Sequence, residues 1–201
     1  MRCAISSPRK SSCRPGLTSN ERPDTASGAG PGALPDAEAA LATLLEQLRH
    51  GLAFDAKLVG IYSGGAWLAE RIARELEGEH PVGLLDVSFY RDDYARKGLS
   101  SKVKRTALPF EVPGSRILLV DDVLYTGRSV RAAINELFDY GRPDAIELAV
   151  LIDRGGRELP IEATYVGARV IADRELSIVL NRDADERFAL SVEPAGSAPR
   201  A

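Results

Sequence analysis

The chain has 201 residues, of which 44% are hydrophobic and 27% charged, as is typical of a globular domain with a sizeable core. The net charge of −3 excludes the strongly basic overall balance of a general nucleic-acid binder, although a local basic patch is compatible with it. No apolar run approaches the roughly 18 residues of a membrane helix. Two cysteines and two histidines exclude a disulfide framework and a histidine-rich metal site. We therefore expect a cytoplasmic protein.

Residues 1–33 are predicted to be a disordered N-terminal extension, because Ser, Pro, Gly and Arg dominate them and no apolar period appears. Arg and Ser with few acids are also typical of an organelle transit peptide, so that alternative stays open. Residues 34–201 are predicted to form one α/β domain. The boundary falls where apolar residues begin to recur.

The predicted domain opens with a helix that Asp36 caps, because apolar residues from Ala37 to Leu48 then follow at helical spacing. The further predicted elements are strands at 57–62, 82–90, 116–120, 146–152, 165–170, 176–180 and 187–192, helices at 67–77 and 129–140, a tight loop at 63–65 and a polar irregular stretch at 91–109. Strands that alternate with helices predict a mostly parallel, twisted sheet with helices on its faces.

One segment, residues 117–129, carries the strongest functional pattern. An apolar strand is predicted to end in Asp121 and Asp122, and a short loop with Thr126 and Gly127 leads into a helix. Ligands of open α/β sheets bind outside the carboxyl ends of the strands, and a helix N-terminus offers free N–H groups to an anion. Carboxylates suit ribose hydroxyls and a nearby Mg²⁺. The segment therefore predicts a site for a sugar that bears a 5′-phosphate.

This segment resembles the motif with which type I phosphoribosyltransferases bind 5-phosphoribosyl-1-pyrophosphate (PRPP). Together with residues 90–93, 141–143 and 148–160, it is similar to the PyrR family of pyrimidine operon regulators and uracil phosphoribosyltransferases. The similarity covers roughly residues 41–194. It implies the type I phosphoribosyltransferase fold, an α/β domain with a mostly parallel twisted sheet flanked by helices, a flexible lid loop or hairpin and a small hood. It also implies a homodimer or a larger homo-oligomer.

The resemblance implies a set of site residues. Catalytic roles fall on Asp121, Asp122 and Arg91, with Mg²⁺ held mainly through PRPP near the two aspartates. The implied PRPP-binding residues are Asp121, Asp122, Val123, Leu124, Tyr125, Thr126, Gly127, Arg128 and Ser129. The implied lid carries Arg96, Lys97, Lys102, Lys104 and Arg105, for which a solvated hairpin with ordinary surface cations is the alternative.

A second loop, Ser63, Gly64 and Gly65, is the implied pyrophosphate loop. The family usually has Thr-Arg-Gly there, so Gly64 replaces an arginine that would contact pyrophosphate. We expect either weaker PRPP binding or another cation in place of that arginine.

The base is predicted from one position. Purine phosphoribosyltransferases place an acid directly before Thr-Gly, whereas this chain has Tyr125, which suits a pyrimidine. The implied base pocket, where backbone groups would contact uracil, consists of Ile152, Asp153, Arg154 and Gly155.

The resemblance implies two activities, the formation of UMP from uracil and PRPP and the UMP-responsive control of a pyrimidine operon through RNA binding. We expect weakened RNA binding, because the corresponding surface carries Glu46, Gly156, Glu162 and Ala168, while Arg157 and Arg169 remain basic. Gly64 also leaves open a third interpretation, a PRPP- or nucleotide-sensing protein with little catalysis.

Overall fold

The structure is a computed structural model that describes residues 34–87 and 106–195. The predicted extension at 1–33 and the implied catalytic Arg91 lie outside the described residues, as do the implied lid residues Arg96, Lys97, Lys102, Lys104 and Arg105. Across the two described ranges, no helix is long and apolar enough to span a bilayer.

Five parallel strands form the main sheet, in the order β2-β1-β3-β4-β5. They are β1 (Lys57–Ile61), β2 (Val82–Leu85), β3 (Arg116–Leu124), β4 (Ala145–Asp153) and β5 (Tyr165–Arg169). The central strands are buried on both faces, which explains why β1, β3 and β4 contain continuous apolar runs instead of alternating ones. The predicted parallel sheet is confirmed.

Helices cover both faces of this sheet. The first helix, α1 (Ala37–Gly51), buries all six apolar residues from Ala37 to Leu48 that its spacing singled out, and it packs beside α2 (Gly64–Glu75) on one face. The third helix, α3 (Arg128–Asp139), packs on the other face through Val130, Ala133 and Leu137. The core therefore has two layers, one on each side of the sheet.

A two-stranded antiparallel hairpin lies outside the main sheet. It consists of β6 (Leu176–Arg182) and β7 (Phe188–Pro194), and it buries Ile178, Leu180 and Phe188 against the core on the α1 side. The first residue of β6 accepts a hydrogen bond from Arg154, just beyond the carboxyl end of β4. This placement agrees with the expected small hood.

Two predicted boundaries differ from the structure in ways that affect the site. The prediction that the third strand ends before the two aspartates is wrong, because β3 continues to Leu124 and pairs with β4 as far as Asp153. Asp121 and Asp122 therefore lie within a strand. Helix α2 begins at Gly64 instead of residue 67, so the predicted tight loop is largely the first turn of a helix.

Candidate active site

The two aspartates are neighbours near the carboxyl end of β3. Asp121 is 7% exposed, and its Oδ1 accepts a hydrogen bond of 3.1 Å from the backbone N–H of Asp122. Asp122 is half-buried, and its carboxylate lies against Gly64. The Asp122 carboxylate thus lies beside the first turn of α2.

Glycines bring the start of α2 into direct contact with β3. A Cβ atom on Gly64 would lie 2.2 Å from Oδ2 of Asp122, and one on Gly65 would lie 2.4 Å from the carbonyl oxygen of Val120. The peptide bond between Tyr62 and Ser63, directly before the helix, is cis. The structure therefore brings the implied pyrophosphate loop and the two aspartates together, and any side chain at position 64 would require Asp122 to move.

The backbone of residues 124–126 has a uniform orientation. The carbonyl oxygens of Leu124, Tyr125 and Thr126 all accept hydrogen bonds from the segment 154–159. The Leu124 carbonyl accepts from Arg154 N (3.1 Å) and Arg157 Nη1 (3.2 Å), and the Tyr125 carbonyl accepts from Arg157 Nη1 (2.8 Å). The Thr126 carbonyl accepts from Glu158 N (3.0 Å) and Leu159 N (3.1 Å). In a trans peptide the N–H group points opposite to the C=O group. The N–H groups that follow these carbonyls therefore point away from that segment.

Gly127 joins this loop to α3. Its φ of 89° lies in the left-handed region, which favours glycine, and it provides no side chain to cap the helix. Thr126 Oγ1 accepts a hydrogen bond of 3.3 Å from Arg128 N, and the first turn contains no acidic residue. Ser63, before α2, likewise makes no capping hydrogen bond through its side chain. Two positive helix ends thus lie at the same edge of the sheet, an arrangement that suits a polyanion.

The four implied base-pocket residues lie beside this loop, but their side chains differ in accessibility. Ile152 is fully buried. Arg154 is 6% exposed, stacks 4.2 Å from the ring centre of Tyr125, and donates to the carbonyl oxygens of Asp173 (2.7 Å) and Leu176 (2.6 Å). The Arg154 side chain therefore contacts both the Tyr125 ring and the first residue of the β6–β7 hairpin.

Asp153 also has partners within the protein. Its Oδ1 accepts a hydrogen bond of 3.0 Å from the N–H group of Gly155 and forms an ion pair of 2.6 Å with Arg157. With Ile152 and Arg154 also engaged, the atoms left for a base are chiefly those of the backbone.

The sequence did not assign Arg157 and Tyr62 to the site. Arg157 was expected on an RNA-binding surface, yet its side chain is 22% exposed and bonds to backbone carbonyls of the loop at 124–125. Tyr62 follows β1 at the same edge, and burial, followed by the negative charges of Glu70 and Asp86, raises the pKa of its hydroxyl. These interactions involve residues distant in sequence, so no local pattern indicated them.

Comparisons with known proteins agree with this geometry. Residues 32–179 match the family model described as the phosphoribosyl transferase domain. The chain is 52% identical over 166 residues to "Bifunctional protein PyrR" of Ralstonia nicotianae, which covers 79% of this chain and 95% of that protein. It is 51% identical over 124 residues to "Bifunctional protein PyrR" of Pseudomonas aeruginosa, which covers 62% and 73%.

Solved structures support the fold alone, since their sequence identity is low. A hypoxanthine phosphoribosyltransferase from Staphylococcus aureus superposes with a TM-score of 0.53 at 23% identity, covering 70% of this chain and 77% of that one. A purine phosphoribosyltransferase from Pyrococcus horikoshii gives a TM-score of 0.51 at 24% identity, covering 67% and 82%. The domain match, the fold and the identity to the Ralstonia protein agree, and the chain therefore belongs to the PyrR family of phosphoribosyltransferase-fold proteins.

Proposed function

We propose that the protein transfers the phosphoribosyl group of PRPP to uracil and releases UMP and pyrophosphate. The observation that carries this proposal is the edge of the sheet where α2 and α3 both begin without a side-chain cap from their N-cap residues, beside Asp121 and Asp122. Such an edge offers N–H donors to two phosphate groups and carboxylates to the sugar between them. The same proposal includes a cytoplasmic protein that forms a homodimer or a larger homo-oligomer.

Each part of PRPP has a matching part of the site. The loop from Val123 to Ser129 would hold the 5′-phosphate, because it offers backbone N–H groups and hydroxyls at the start of α3. Asp121 and Asp122 would accept hydrogen bonds from the ribose hydroxyls. The start of α2, at Ser63, Gly64 and Gly65, would receive the pyrophosphate. Arg91 and the cationic lid complete the proposed set from outside the described residues.

The donor set also fits magnesium. Mg²⁺ prefers oxygen ligands and binds through one or two carboxylates plus substrate phosphates, and the two adjacent aspartates provide such carboxylates. Among the described residues, no group of three or more His, Cys, Asp or Glu side chains could hold a metal ion. When bound, Mg²⁺ would neutralise negative charge on the leaving pyrophosphate.

The reaction needs positioning more than covalent chemistry. The bond from ribose C1 to the pyrophosphate oxygen breaks, and its electron pair leaves with pyrophosphate. A uracil ring nitrogen bonds to C1 and releases its proton. Positive charge develops on the sugar in the transition state, as in glycoside hydrolysis. The protein's residues would hold both reactants in line and stabilise the leaving anion through the N–H groups of α2.

A pyrimidine fits the position of Tyr125. Its ring lies directly before Thr126 and is fixed by Arg154 on one side and by Gly156, where a Cβ atom would approach its Cε2 to 2.5 Å. An uncharged phenol at this position cannot supply the carboxylate that purine enzymes use, which supports a pyrimidine as the base.

The test is an assay of the purified full chain with PRPP, Mg²⁺ and one base at a time. We expect UMP from uracil and no nucleotide from hypoxanthine or guanine. IMP or GMP formation at a comparable rate would contradict the pyrimidine assignment. UMP binding without any turnover would favour the alternative of a nucleotide-sensing protein over a transferase.

We also propose that RNA binding, the second activity implied by the family, is weak in this chain. Arg157 is engaged with backbone carbonyls, and on α1 both Arg49 and His50 lie 3.8 Å from the carboxylate of Glu46. Glu162 is exposed on the surface after β4. Acidic groups beside the few remaining cations oppose contact with phosphates, and fewer phosphate contacts give a shallower salt dependence.

Filter binding to a pyrimidine-operon leader RNA, with and without UMP at two salt concentrations, tests this part. We expect weak binding, a shallow salt slope and little stimulation by UMP. Tight, UMP-enhanced binding with a steep slope would show that regulation through RNA is retained.

A further inference from the structure

Arg157 has an unusual set of partners for a residue on a surface connection. It lies between β4 and β5, and its side chain is only 22% exposed. Its guanidinium contacts five residues of the protein. These bonds run from Nη1 to the carbonyls of Leu124 (3.2 Å), Tyr125 (2.8 Å) and Gly155 (3.2 Å), from Nε to that of Ile161 (3.0 Å), and from Nη2 to the carboxylate of Asp153 (2.6 Å).

One of these bonds controls the peptide between Tyr125 and Thr126. The Leu124 carbonyl has a second donor in the N–H group of Arg154, and the Thr126 carbonyl has two donors from the backbone. Within the described part of the chain, Arg157 is the only hydrogen-bond donor to the Tyr125 carbonyl. A half-buried carbonyl that loses its donor tends to turn towards another one. Without Arg157, the Thr126 N–H group would therefore lose its fixed direction.

The chemistry of the side chain suits this role. A planar guanidinium can donate to several carbonyls while it pairs with a carboxylate, whereas a lysine ammonium has three donors around one point. The ion pair with Asp153 holds the fork in place and links the implied base pocket to the loop at 124–126.

We propose that Arg157 is a positioning residue for phosphate binding. It holds the 125–126 peptide so that its N–H group faces the 5′-phosphate of PRPP and UMP, although the arginine itself does not touch the ligand. This inference rests on the proposed function, because it takes residues 123–129 as the phosphate loop.

The test compares Arg157→Met and Arg157→Lys with Arg71→Met in the full chain. Arg71 is a matched control, since its side chain is 26% exposed and it makes ion pairs with Glu38 and Glu75 on the α1 side, away from the site. Calorimetry gives the Kd for UMP, steady-state kinetics gives KM for PRPP and for uracil together with kcat, and thermal unfolding gives Tm.

We expect Arg157→Met to weaken UMP binding about tenfold, the effect of misdirecting one hydrogen bond to a charged group. KM for PRPP should rise by a similar factor, while KM for uracil and kcat change less, because the 5′-phosphate is held equally in the ground state and the transition state. Arg157→Lys should fold and recover only part of the affinity. Arg71→Met should lower Tm and leave the Kd for UMP unchanged.

Three results would overturn the inference. Arg157→Met and Arg157→Lys could bind UMP as tightly as the native chain does, which would leave the proposed function intact and make Arg157 a structural residue only. Arg71→Met could weaken UMP binding as much as Arg157→Met does, which would make the loss a general effect of lower stability. A native chain that binds neither UMP nor PRPP would overturn the proposed function as well.

Discussion

The start of helix α1 is capped by a side chain of its N-cap residue, whereas the two helices that begin at the carboxyl edge of the sheet are not. At the start of α1, Asp36 Oδ1 accepts a hydrogen bond of 2.8 Å from Ala39 N, and Glu38 supplies an acid in the first turn. Glu38 also accepts a bond of 2.7 Å from Phe188 N, which joins the helix to the hairpin. Helices α2 and α3 have neither a side-chain bond from the N-cap residue nor an acid in the first turn.

This difference separates structural ends of helices from functional ones. A good N-cap stabilises a helix by about 1 kcal/mol, so a helix that begins on Ser63 without a capping bond, or on Gly127, forgoes part of that stability. Both helices follow strands of the parallel sheet and begin at the carboxyl edge that contains Asp121 and Asp122. The N–H groups that the N-cap side chains leave without a bond are therefore concentrated where an anionic ligand can accept from them.

The largest expected effect is at the edge itself. Asp121→Asn combined with Asp122→Asn should weaken PRPP binding ~100-fold or more, because two charge-assisted hydrogen bonds to the ribose would be lost. Calorimetry with PRPP and Mg²⁺ measures the effect, and circular dichroism checks that the fold persists. Asp139→Asn with Asp144→Asn, an equal change of charge at two exposed positions elsewhere, is the control and should bind normally. Unchanged PRPP affinity in the first double variant would refute the ribose assignment.

Two glycines with positive φ allow a finer comparison. Gly127 has a φ of 89° and begins α3, whereas Gly114 has a φ of 72°, precedes β3 at the opposite edge and has open space where a Cβ atom would be. Alanine at either position should cost about 1–2 kcal/mol of stability from left-handed strain. Only Gly127→Ala should also raise KM for PRPP, since it distorts the phosphate loop. Equal kinetics for the two variants would show that this loop does not bind PRPP.

The smallest effect concerns the caps. Asp36→Ala should lower the free energy of unfolding by about 1 kcal/mol, which is roughly 2–4 °C in Tm for a domain of this size, with no change in transferase activity. Ser63→Ala should leave Tm nearly unchanged, because the Ser63 side chain caps nothing. A large loss of Tm on Ser63→Ala would mean that the Ser63 side chain does cap α2, and the contrast with α1 would then be wrong.

Local patterns in the sequence predicted most of the fold. The helical period identified all six buried residues of α1 and its cap, and the apolar runs identified the parallel strands. The end of β3 was misplaced because carboxylates are poor strand formers, and only pairing with β4 keeps Asp121 and Asp122 extended. The strand propensity of a residue, judged from its neighbours in the sequence, does not include the effect of pairing with another strand.

The site was predictable where it is continuous in sequence and not where it depends on tertiary contacts. The segment from Asp121 to Ser129 was identified as one unit. The inward direction of the Arg154 and Arg157 side chains, however, depends partly on carbonyl groups more than 20 residues away in the sequence. An arginine in a polar connection usually faces solvent, so sequence alone favoured an RNA contact for Arg157. Likewise, the close approach of Gly64 to Asp122 follows from the packing of α2 on β3.

The most direct test of phosphate binding at the carboxyl edge of the sheet compares UMP with uridine, which differ only in the 5′-phosphate. If the uncapped helix ends and the loop at 123–129 bind that phosphate, calorimetry with the native chain should give measurable UMP binding and an affinity for uridine at least ~100-fold lower, as expected when several charge-assisted hydrogen bonds are lost. Equal affinity for UMP and uridine would contradict the account, because the edge would then recognise the nucleoside without using its open N–H groups.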